Sequence, residues 1–130
     1  MLFEVTALYA LPLAILFLIL WFRVTITRSS LKISIGDAGN AALHEKIRQH
    51  GNFVEWTAIV LILMILAEGN GADAIWLHVS GALLLAGRIL HPFGLTAGNA
   101  AHPLRIMGNT GSLLAALNAM VCLVFTSFGL

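Results

Sequence analysis

A chain of 130 residues that is 59% hydrophobic and only 10% charged, with a mean hydropathy of +0.94, has more apolar surface than a soluble domain of this length can hide, and this places it in a membrane. A net charge of +1 argues against the concentrated basic patch that nucleic acid requires. The single cysteine, Cys122 in an apolar run, excludes an internal disulfide and a cysteine-pair metal site and reads as a small buried hydrophobe.

The first apolar segment, Ala7 to Phe22, follows Glu4 and precedes Arg23 and Arg28. That order is the reverse of a signal peptide's and no small-residue cleavage site is present, so a retained transmembrane helix is expected over 6–23. A polar stretch from Arg23 to Gly51 comes next, and within it Asp37 or Asn40 is expected to cap a second helix. The apolar run from Phe53 to Ala67 is short for about 30 Å of hydrocarbon at about 1.5 Å per residue, so the turns before it must extend the span to 40–68. "AEGNGAD" then breaks the chain, with Glu68, Asn70 and Asp73 read as a solvated turn and Asp73 as the cap of a third span over 74–92. Pro92, Gly94, Gly98 and Asn99 mark a bend or loop, and Pro103 suits the first turn of a fourth span over 103–127. The expected fold is all-α, a single transmembrane four-helix bundle filling 1–130. Small residues in two adjacent rows, Gly108, Ser112, Ala116 and Gly111, Ala115, Ala119, let the fourth helix pack closely inside a bundle or an oligomer.

Basic residues cluster between spans one and two, with Arg105 between three and four and none in the 68–73 turn. The positive-inside tendency therefore puts both termini and that turn on the non-cytoplasmic side. Trp21, Trp56 and Trp76 fall near span ends or in entry turns, as an aromatic belt would place them.

The polar residues inside the spans need partners. At about 100° per residue, Arg48, Asn52 and Glu55 fall within about 60° of one another and form one stripe. Glu55 lies inside the apolar run, where an unpaired carboxylate costs several kcal/mol, so it needs a cation or a polar cavity. Arg88 and His91 form a second stripe near the end of span three, at the same depth if spans two and three are antiparallel neighbours. Simple pairing of Arg88 with Glu55, with Arg48 snorkelling to the interface, would explain these residues structurally. With Arg105, however, three guanidinium groups gather near one carboxylate, which implies an anionic ligand, and arginine's fork suits carboxylates. His44, His78 and Asn118 read as packing or interhelical hydrogen-bonding residues.

"RQHGNFVE" fits the R-x-x-x-N-x-x-E pattern of the MAPEG family, membrane-associated proteins in eicosanoid and glutathione metabolism, and "GRILHPFG" and "HPLR" follow in the family's order. Most of the chain resembles this family, and its small bacterial branch in particular. The resemblance implies a homotrimer in the bacterial inner membrane that binds glutathione between subunits on the cytoplasmic side. It also implies that Arg48, Asn52 and Glu55 hold the peptide's charged groups, that Arg88 and His91 contribute from helix three, and that Arg28, or Arg23, contributes from helix one. Arg105 would sit by the thiol and stabilise the attacking thiolate. No metal is implied. The expected activity is a membrane glutathione transferase acting on a hydrophobic electrophile drawn from the membrane lipid, with lipid hydroperoxide reduction as a further activity. One departure from the family is that the position of its third-span tyrosine, seven after Arg88, is Leu95 here, which casts doubt on eicosanoid specificity. Two other functions stay open. One is a family member that binds glutathione or lipid without turnover. The other is a small multidrug-type proton-coupled transporter, a class that normally uses a first-span glutamate absent here.

Overall fold

The structure, a computed structural model, describes residues 3–129. It is all-helical: α1 spans Glu4–Leu31, α2 Ala41–Gly69, α3 Ala74–Gly94 and α4 Pro103–Phe128. Each helix is long and apolar enough to cross a bilayer. Side chains such as Leu11, Ile15, Ile62, Ile89 and Val121 point outward, which suits a hydrocarbon surround and would be costly in water.

The helix ends follow local chemistry. Asn40 caps α2 by accepting from the Leu43 N–H at 2.9 Å. Asp37 instead accepts from the Gly39 N–H and pairs with His44, contacts that hold its carboxyl below the usual carboxylate range, the Gly39 bond being the larger cause. Asp73 caps α3 through the Ile75 N–H, and Pro103 occupies the first turn of α4 behind the His102 cap.

Two boundaries differ from the sequence reading. α1 continues to Leu31 through residues 23–31, which had read as a polar linker. There the Thr25 and Thr27 hydroxyls donate to the Trp21 and Arg23 carbonyls one turn back, and the helix stops only at Lys32, in the left-handed region at φ 55°. α3 runs through Pro92 to Gly94 instead of bending at the proline. Pro92 has no N–H to offer the Arg88 carbonyl one turn back, so the last turn of α3 is one hydrogen bond short.

α3 and α4 pack most closely, α2 touches every other helix, and α1 rests on α2 and α3. The core between them is built from Leu13, Leu20, Phe53, Val60, Met64, Leu84, Ala115 and Ala119. At the seam of α3 and α4, a Cβ added to Gly87 would lie 2.8 Å from the Gly108 carbonyl oxygen, and one added to Gly94 would lie 2.2 Å from the Arg105 nitrogen. No side chain fits at either place, so the two backbones meet directly. The buried face of α4, Gly108, Ser112, Ala115 and Ala119, draws from both small-residue rows.

Glu68 does more than face solvent in a turn. Its carboxylate accepts from the Val5 and Thr6 N–H groups at 2.8 and 2.9 Å and from the Thr6 hydroxyl at 2.6 Å, and so caps α1 from the end of α2. Glu68→Ala should cost about 1–2 kcal/mol, typical of a lost cap, and be read as a lowered thermal midpoint in detergent. An unchanged midpoint would show that water replaces the cap at no cost.

Candidate functional site

The site is built around a buried arginine. Arg88 is 1% exposed, and its Nη1 donates to Asn52 Oδ1 at 2.8 Å and to the Asn52 carbonyl at 3.4 Å. Its Nη2 donates to the Gly108 carbonyl at 2.9 Å. The guanidinium thus ties α2, α3 and α4 together, and it reaches Gly108 because the glycines at the seam leave the carbonyl uncovered. Among the described residues it has no carboxylate within 4.0 Å, so the Arg88–Glu55 pairing considered from the sequence is not formed. The two stripes do lie at one depth, because Arg88 on α3 meets Asn52 on α2.

In front of Arg88 and Asn52 opens a cleft of about 350 Å³, near the lower end of the roughly 300–1,000 Å³ typical of small-molecule sites. α2 supplies His44, Glu45, Arg48 and Asn52, α3 supplies His91, and α4 supplies Arg105 and Asn109. The 95–102 connection closes one side, held by Gln49, whose Nε2 donates to the Leu95 carbonyl at 3.0 Å, and by Glu45, whose Oε1 accepts from the Ala97 N–H at 2.7 Å. Arg48 Nη1 is 3.9 Å from Glu55 Oε1, the limit of an ion pair, and both side chains are more than half exposed. Among the described residues Arg105 has no carboxylate within 4.0 Å.

Arg48, Asn52, His91 and Arg105 therefore share the cleft, and Arg88 stands behind it holding Asn52. Glu55 lies outside the cleft lining, next to Arg48 on the surface of the bundle. Arg28 is elsewhere, donating to the Gly36 carbonyl at 2.6 Å near the end of α1. The sequence reading missed Glu45 and Asn109, one turn before Arg48 and one turn after Arg105. Extending the Arg48–Glu55 stripe back one turn, and stepping one turn along α4 from Arg105, would have found both. His44, read as packing, also lines the cleft, and Leu95 lines it without a hydroxyl where the family's tyrosine is expected.

The cleft offers two guanidinium forks, an amide held in place and a neighbouring carboxylate, all set between helices of a polytopic membrane protein. The guanidinium groups and the amide are its donors and the carboxylate its acceptor, and together they define a helical membrane protein with a polar, charged cleft. The chain belongs to the MAPEG family, which it matches over residues 6–125. It is also similar to proteins described as the inner membrane protein YecN from two strains of Escherichia coli, each 41% identical over 90 residues, covering 69% of this chain and 69% of the relative. No solved structure matches it.

Proposed function

We propose that this protein is an inner-membrane glutathione transferase-like enzyme, working as a homotrimer with its cleft on the cytoplasmic side. The observation that carries this reading is the cleft itself, where Arg48 and Arg105 face a shared volume and, among the described residues, Arg48 meets a carboxylate only at 3.9 Å and Arg105 none within 4.0 Å. Glutathione has two carboxylates and an amine, and its thiol supplies the nucleophile. Arg48 and Asn52 bind the carboxylates, Arg88 fixes the Asn52 amide by donating to its Oδ1, and Glu55 or Glu45 takes the amine. Arg105 holds the thiol as thiolate, His91 shapes the wall beside it, and Arg28 could join only from an adjacent copy. The second substrate is a hydrophobic electrophile arriving from the lipid, and lipid hydroperoxides are further candidates for reduction.

The test is calorimetric titration of the purified protein with glutathione in detergent. Binding at millimolar concentration or below is expected, and Arg48→Ala should weaken it about tenfold or more, as loss of a charge-assisted pair does. No heat from the unmodified protein at millimolar glutathione would sink the reading. Leu95 in the tyrosine's place favours a second reading, a member that binds glutathione without turnover. Conjugation assays with several aryl halides separate the two.

A further inference from the structure

α1 has 28 residues, about 42 Å at about 1.5 Å per residue, so its last turns stand at the headgroup level of a bilayer whose hydrocarbon is about 30 Å thick. There Thr25, Arg28 and Ser29 share one helix face, at spacings of three and four. With Lys32, Ile33 and Ser34, where the helix ends, they line one open depression of about 400 Å³. It shares no lining residue with the cleft of Arg48 and Arg105. Arg28 is held by its Nη1, which donates to the Gly36 carbonyl at 2.6 Å, and among the described residues its other guanidinium N–H groups are unspent. Also among the described residues, the side chains of Ser29, Lys32 and Ser34 make no hydrogen bond, and neither cation has a carboxylate within 4.0 Å.

The chain does not neutralise this depression itself. No Asp or Glu occurs between Glu4 and Asp37, and Asp37 is turned to the Gly39 N–H and to His44. The dipole at the end of α1 disfavours an anion, but the Arg28 and Ser29 carbonyls already accept from the Ile33 and Lys32 N–H groups at 3.0 and 3.2 Å. Two cations beside two free hydroxyls suit a phosphate, whose oxygens accept from all of them. The apolar neighbours say which phosphate. Ile33 lines the depression, Ile35 beyond it is 87% exposed, and half-exposed Trp21 lies seven positions before Arg28, below it on the same face. A free anion has no use for them, whereas a phospholipid covers them with its glycerol and acyl chains. We propose that this depression binds an anionic phospholipid, phosphatidylglycerol, with its phosphate between Arg28 and Lys32 and an acyl chain along Trp21.

Trp21 is the reporter. A protein carrying Trp56→Phe and Trp76→Phe keeps it as the single indole. It would be reconstituted at fixed ionic strength into vesicles containing tail-brominated phosphatidylglycerol or tail-brominated phosphatidylcholine, and the relative binding constant taken from Trp21 quenching. Both headgroups carry the phosphate, but choline's own cation offsets its charge. The expected preference for phosphatidylglycerol is about fivefold for each cation that faces the phosphate. Lys32→Gln should therefore lower it about fivefold, whereas Arg23→Gln, which removes the same charge about 140° around the helix from Arg28, should leave it in place. Arg28 stays intact in this test because the glutathione reading also draws on it. Equal quenching by the two lipids overturns the site, as does an equal fall in both variants, the mark of diffuse surface charge. A preference abolished by millimolar glycerol phosphate would assign the depression to a free phosphate and overturn the lipid. Absence of quenching by either lipid, the result if a second copy covered Trp21, overturns it too.

Discussion

Arg88→Ala is expected to cost the protein about 3 kcal/mol and to abolish measurable glutathione binding together with it. The side chain is buried among three helices, so truncation removes charge-assisted bonds to Asn52 and Gly108 and leaves the Asn52 amide oxygen without its donor in a low-dielectric interior, while Gly108 keeps the Ser112 hydroxyl. Burying the guanidinium carries its own desolvation cost, which is why the net loss is well below the sum of its bonds. Arg88→Lys keeps the charge but offers one ammonium where two separated acceptors wait, so it should recover only part of the stability. Thermal unfolding in detergent, alongside calorimetry with glutathione, measures both effects. An alanine variant as stable as the parent would mean that Arg88 is only a passenger in the bundle.

The second large effect concerns the reaction rate. If Arg105 holds a bound thiol as thiolate, it lowers that thiol's pKa by about 1–3 units, and Arg105→Ala should cut conjugation near neutral pH by about 10–100-fold. The sign is specific. A cation depresses the pKa of an acid, so the parent is already active near neutrality, whereas the variant gains rate only as the pH approaches about 8.5, where an ordinary thiol ionises. Above that pH the two rates should converge. A uniform loss at every pH would assign Arg105 to binding alone and remove it from thiol activation.

Those expectations rest on features that the sequence exposes to different degrees. The helices could be read because their signals are local: apolar runs of sufficient length, caps at Asn40 and Asp73, and Pro103 at a first turn. The extra turns of α1 could not, because threonine-rich polar chain is a poor helix by propensity, and here the hydroxyls of Thr25 and Thr27 return to the backbone. Glu68 escaped for a different reason, since its partners at Val5 and Thr6 lie more than sixty positions away in the chain. In the cleft, helical periodicity alone aligned Arg48 with Asn52. What periodicity could not supply was the partner of Arg88: charge suggested Glu55, whereas a neutral amide and a backbone carbonyl accept its hydrogen bonds.

The direct backbone meeting of α3 and α4 limits how the cleft can breathe. With nothing larger than hydrogen at Gly87 and Gly94, the pair behaves as a single rigid hairpin, and the spacing of His91 from Arg105 is set before any guest arrives. Extra room comes from the 95–102 connection or from a tilt of α2, which carries Arg48 away and strains the Arg88–Asn52 bond. A bulky occupant would thus loosen its grip on the carboxylates while its reactive end stayed in register.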